Sequence, residues 1–91
     1  MYSKQTTLVN ASGLHARPAS EFVTKAKTYQ CKVSVRNASE PDSQPVNAKS
    51  IVKLLAQGLS AGTLVEVIGD GEDEVEAVDA LIALIDSGFG E

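Results

Sequence analysis

Between Ala16 and Val35 the spacing of apolar residues changes period, and that change dictates a fold mixing helix with sheet. Ala19, Phe22, Val23 and Ala26 recur at i, i+3, i+4, i+7, one face of a helix reading from Ala16 to Tyr29. Ser20, Glu21, Thr24, Lys25 and Lys27 take the opposite face. Immediately afterwards Cys31, Val33 and Val35 alternate with Lys32, Ser34 and Arg36, the period-two signature of a half-buried strand. Pro18 suits only the first turn of that helix, where its missing N–H has no intrahelical partner. Proline also disfavours helical geometry at Arg17, so the helix starts between Ala16 and Pro18. His15, the only histidine, is therefore at or just before a helix N-terminus.

The remaining elements follow from weaker signals. Ser3–Val9 carries a moderate strand pattern, and Asn10-Ala11-Ser12-Gly13 is turn chemistry that delivers the chain to His15. Asn37–Pro45 is a polar loop with two prolines, after which Val46 suits a short edge strand. Ser50 reads as the N-cap of a short helix whose apolar face is Ile51, Leu54 and Leu55, with Gly58 as its stop. Val52 falls off that face; beside Ile51 it either packs under a loop or forms an exposed docking patch. Thr63–Ile68 is the strongest strand pattern, ended by Gly69-Asp70-Gly71. A last helix starts near Asp73 or Glu74, with Val75, Val78, Ile82 and Ile85 along one side and Leu81 and Leu84 widening the stripe. The acidic residues Glu72, Asp73, Glu74 and Glu76 complement the helix dipole and read as stabilisation, not as a catalytic carboxylate pair. The order β-α-β-β-α-β-α, each helix with one apolar face, predicts an α+β open-faced sandwich: an antiparallel sheet with helices on one side.

Composition excludes several functions. A chain of 91 residues supports one domain spanning 1–91 with a single modest core. With 4% aromatics among 43% apolar residues, that core must be aliphatic. The formal charge of −4, without a basic block, argues against nucleic-acid binding. The N-terminal residues Met1–Gln5 lack an apolar signal core, and no run is long enough to span a bilayer; a cytoplasmic location is expected. One cysteine, Cys31, cannot form an internal disulfide and reads as a buried thiol in a reducing compartment. One histidine and one cysteine make no zinc site, so neither a metal nor a cofactor is expected.

His15 carries the chemistry. The first N–H groups of a helix are unpaired and have the positive end of the dipole behind them. An anion there gains roughly 0.3–1 kcal/mol before hydrogen bonds are counted. Pro18 donates nothing, which leaves the N–H groups of Ala16 and Arg17, and the Arg17 guanidinium adds a fork matched to phosphate oxygens. Histidine, with an ordinary pKa of about 6.5, is largely neutral and nucleophilic near neutral pH. A lone histidine in a small domain is commonly just a surface or capping residue. His-x-Arg-Pro at a helix start points instead to an anion or phosphoryl site.

Gly13-Leu14-His15-Ala16-Arg17-Pro18-Ala19 resembles the active-site motif of the histidine-containing phosphocarrier family HPr of bacterial phosphotransferase systems. Ala48-Lys49-Ser50-Ile51 is similar to its second signature, and Gly69-Asp70-Gly71-Glu72-Asp73-Glu74 to the lead into its last helix. The resemblance covers essentially the whole chain. It implies a four-stranded antiparallel sheet with three helices on one face. It implies that His15 accepts a phosphoryl group on Nδ1 from Enzyme I and passes it to IIA domains of sugar permeases. Arg17 then stabilises the group, with backbone donors from Ala16 and Arg17. Such a protein is a stoichiometric monomeric carrier, not an enzyme.

Ser50 matches the family's regulatory serine, which in many Gram-positive members a dedicated HPr kinase/phosphorylase modifies; Ile51, Val52 and Leu55 would then be the docking patch. A phosphoserine at an N-cap is favoured by the dipole and would repel acidic partner groups, but the residue is equally a good N-cap with no further role. The resemblance also carries alternatives. One is a regulatory module acting through phospho-Ser50 on a catabolite regulator, and another is a nitrogen-related paralogue. A two-component phosphotransfer histidine would instead sit mid-helix in a bundle, against the strand at Cys31–Val35. The Asn37–Pro45 loop is longer than expected for the family, and Lys53 matches enteric-type members where many Gram-positive ones have glycine.

Overall fold

A computed structural model describes residues 1–90. Its elements in chain order are β1 (Tyr2–Thr7), α1 (Ala16–Ala26), β2 (Lys32–Asn37), β3 (Val46–Asn47), α2 (Ile51–Ala56), β4 (Leu64–Asp70) and α3 (Glu74–Asp86), followed by a left-handed turn at Gly88–Gly90. The strands form one antiparallel sheet in the order β1-β4-β2-β3. Chain-order neighbours β2 and β3 pair across the proline loop, with Val35 opposite Val46. The expected architecture is the observed one.

Along β4 burial alternates: Val65, Val67 and Gly69 face the helices, and Leu64, Glu66 and Ile68 face the other side of the sheet. Ala19, Phe22, Val23 and Ala26 of α1 and Val33 and Val35 of β2 all enter the core, as their periods require. Cys31 is buried and unpaired. The edge strand β1 is tied to α3 by Asp79, which accepts from the Tyr2 hydroxyl at 2.9 Å and pairs with Lys4 at 2.9 Å.

Four details depart from the pattern reading. Strand β1 stops at Thr7, because Leu8 turns into the core and Val9 faces solvent. Gly69 does not end β4 but lies within it, paired with Tyr2 on one side and Val33 on the other. A Cβ there would come within 2.9 Å of Val78 Cγ2, so glycine is what allows α3 to pack this closely on the sheet. On α3 the buried stripe is Ala77, Val78, Leu81 and Ile85, while Val75 is 49% exposed. Small Ala77 faces the core, a position that hydrophobicity ranking alone passes over. On α2 only Leu54 is fully buried, with Ile51 partly packed against the core. Leu55, one helical step further round, joins Val52 on the outside (41% and 73% exposed).

Asp73 does more than favour the α3 dipole. Its carboxylate accepts from the backbone N–H groups of Gln30 and Cys31, each at 2.9 Å, closing the chain that enters β2 onto the start of α3. The Gln30 bond is the main reason its carboxyl is held below the usual range. A carboxyl that stays ionised to lower pH when folded contributes stability above its unfolded pKa and loses it as pH falls through the folded value. Asp73→Asn, left with one acceptor oxygen, should therefore lower the melting temperature near neutral pH and make much less difference at about pH 3. Thermal melts at the two pH values check this; an equal loss at both would assign the effect to packing.

Candidate phosphoryl site

The site is built by anchoring one loop on either side of an exposed residue. The Leu8 N–H donates to Thr63 O at 2.9 Å, and the Gly62 N–H donates to Leu8 O at 2.8 Å, so the loop leaves β1 fastened to the segment before β4. Buried Asn10 then folds the turn on itself, its Nδ2 donating to Gly13 O at 2.8 Å and to Ser12 Oγ at 3.4 Å. Gly13 has φ +61°, and a Cβ there would lie 2.7 Å from Leu59 O and 2.8 Å from Ala61 N. Any other residue would meet both the left-handed backbone and a backbone wall. Past it the Leu14 N–H donates to Leu59 O at 2.9 Å and its side chain enters the core.

With Leu14 turned inward, the next residue turns out. His15 is exposed and occupies the N-cap of α1 in extended geometry (φ −89°, ψ −166°). Its carbonyl accepts from the Ala19 N–H at 2.8 Å, but its side chain makes no cap hydrogen bond. A capping side chain accepts from the N–H of the second or third helical residue. Here the third is Pro18, which has no N–H and is itself buried. The first-turn N–H groups of Ala16 and Arg17 have no intrahelical partner and remain available to an external acceptor. Arg17 is exposed and has no carboxylate partner among the described residues. A nucleophilic ring, a cation and helix-terminal donors within three consecutive exposed residues at one helix start can hold a dianionic phosphoryl group.

The second predicted cluster lies on α2, which packs against α1. Ser50 is its N-cap, as expected, with Oγ accepting from the Lys53 N–H at a long 3.4 Å. Val52 and Leu55 are exposed and Ile51 half-buried. Among the described residues no group of three His, Cys, Asp or Glu side chains could hold a metal. Hollows of about 350–370 Å³ lie between α1 and α3 and around Cys31, and none of these is lined by His15. Pattern reading missed the supports: Asn10 was legible only as turn chemistry, and nothing in residues 59–63 signals a wall for Gly13.

A family model described as "PTS HPr component phosphorylation site" matches residues 2–87. The chain belongs to the HPr family of phosphocarrier proteins. It is 41% identical over 85 residues to the phosphocarrier protein HPr of Haemophilus influenzae, covering 93% of this chain and 95% of that one. It is 38% identical to the HPr-like protein Crh of Halalkalibacterium halodurans, covering 94% and 98%. The crystal structure of an HPr from Thermoanaerobacter tengcongensis superposes with a TM-score of 0.90 at 42% identity, covering 100% and 98%. The open-faced sandwich described above is thus the HPr fold. Among the described residues no helix is long and apolar enough to cross a membrane.

Proposed function

We propose that this HPr-family protein is a stoichiometric phosphoryl carrier of the phosphoenolpyruvate-dependent sugar phosphotransferase system, with His15 as its acceptor. The imidazole Nδ1 lone pair attacks phosphorus as the bond to Enzyme I breaks. The new P–N bond breaks in turn when an IIA domain of a sugar permease takes the group. Arg17 and the N–H groups of Ala16 and Arg17 balance the phosphoryl charge in both steps. The observation that carries the reading is an exposed N-cap histidine whose side chain makes no cap hydrogen bond, so its ring is uncommitted at the start of a helix. Its exposure, outside the hollows around α1, α3 and Cys31, suits protein partners better than a small substrate, which would need a pocket. Neither a metal nor another cofactor enters this chemistry. The carrier acts as a monomer in the cytoplasm, and the free buried thiol of Cys31 fits such a reducing compartment.

The test is intact mass and phosphorus NMR after incubation with phosphoenolpyruvate and Enzyme I. One acid-labile phosphoryl group is expected. No label, with the same Enzyme I active on another carrier, would refute the reading.

A second role has its own support. The Ser50 hydroxyl is held by a single long cap bond and stands at the start of the surface formed by half-buried Ile51 and exposed Val52 and Leu55. A kinase/phosphorylase acting at Ser50 would place a dianion where partners dock, slowing the relay and creating a surface for a catabolite regulator. Ser50→Asp should retain a normal melting temperature, since aspartate is as good an N-cap, and should slow phosphoryl acceptance from Enzyme I several-fold. Equal acceptance rates would remove Ser50 from the docking surface.

A further inference from the structure

Among the described residues one non-glycine, Phe89, has a positive φ (+54°), and it is buried to 4% exposure in the same core cluster as Leu8 and Leu14. Its neighbours Gly88 and Gly90 are left-handed too, at +72° and +77°. All three lie beyond residues 2–87, the span matched by the family model. The turn starts just after α3 closes at Ser87, whose N–H donates to Ala83 O and whose Oγ donates to Leu84 O. A methyl group placed on Gly88 would lie 3.9 Å from Val9 Cγ2 and 4.0 Å from Asn10 Cβ. The turn therefore lies beside the base of the loop that presents His15, with room for about one methyl group between them. From there the connection is short: Asn10 holds Gly13 O, Leu14 is fixed on Leu59 O, and His15 follows.

We propose that Phe89 is a positioning residue for His15. Its side chain is anchored in the core cluster that also holds Leu8 and Leu14, and that anchor fixes Gly88 beside Val9 and Asn10. An aromatic residue held in the left-handed region persists only where its surroundings over-determine it, and here those surroundings include the functional loop. This rests on reading His15 as the phosphoryl acceptor, but the two can fail separately.

The experiment is native-state amide hydrogen exchange, with the rate of phosphoryl acceptance from Enzyme I measured at saturating donor. In Phe89→Ala the Leu14 and Gly62 amides should exchange at least tenfold faster relative to Val67 in β4. Acceptance should slow at least fivefold, and Phe89→Leu should restore both. Where Phe89→Ala does not fold, Phe89→Ile keeps the apolar volume but resists a positive φ, and it should accelerate the same two amides. If all three amides change by one common factor, Phe89 supplies only general stability and the proposal is overturned. It is equally overturned by selective loop exchange with an unchanged rate. A wild-type protein that accepts no phosphoryl group at all refutes the carrier reading; the exchange ratio still decides whether Phe89 holds the loop.

Discussion

His15→Ala should take up no phosphoryl group from Enzyme I and should melt within a degree or two of the wild type. The first half follows because no second histidine exists to substitute for it. The second follows from the geometry. The side chain is exposed and makes no cap hydrogen bond, so its removal leaves no cavity and no orphaned donor. Surface changes of that kind move stability by no more than about 0.5 kcal/mol. Mass spectrometry and a thermal melt on the same sample check both halves. A label surviving in the variant would place the acceptor elsewhere, and a collapsed fold would make His15 a structural residue.

Arg17→Glu should separate chemistry from folding even more sharply. Two unit charges about 4 Å apart interact by about 1 kcal/mol in water-like surroundings. A phosphoryl group carries close to two charges, and the substitution turns attraction into repulsion. The sum approaches about 4 kcal/mol before screening, so with half or more of it screened away transfer should still slow by about 10- to 30-fold. Stability should move the other way. Arg17 has no ion-pair partner to lose among the described residues, and an acidic residue in the first turn of α1 gains roughly 0.3–1 kcal/mol from the dipole. Quench-flow labelling beside a urea melt reads both. A variant that transfers normally would remove Arg17 from the site, and one that unfolds would make it structural.

What could be read in the sequence was local. Pro18 and the spacing from Ala19 to Ala26 fixed where His15 sits, the alternation at Cys31–Val35 gave β2, and Ser50 with Gly58 bounded α2. Each of these depends on the geometry of one element and its immediate ends. The sequence was silent where a residue's role is set by distant backbone. Gly69 reads as a strand terminator until α3 is seen lying on it, and Val75 reads as core until Ala77 is seen facing inward. Asp73 gathers two N–H groups more than forty positions away. The wall behind Gly13 is main chain, which is the same whatever the residue types at 59–61.

The strand β4 lies between β1 and β2 although it is the last strand to be synthesised. On a ribosome, the N-terminal strand and the loop fastened to residues 59–63 have nothing to pair with until most of the chain has emerged. The histidine motif, which precedes β4 by some fifty residues, is thus among the last features of the fold to take shape. Until then β1 is an unpaired edge, the state most open to association with other chains. Rapid completion of the C-terminal third is what protects it, and a nascent chain stalled before β4 would carry the motif without its site.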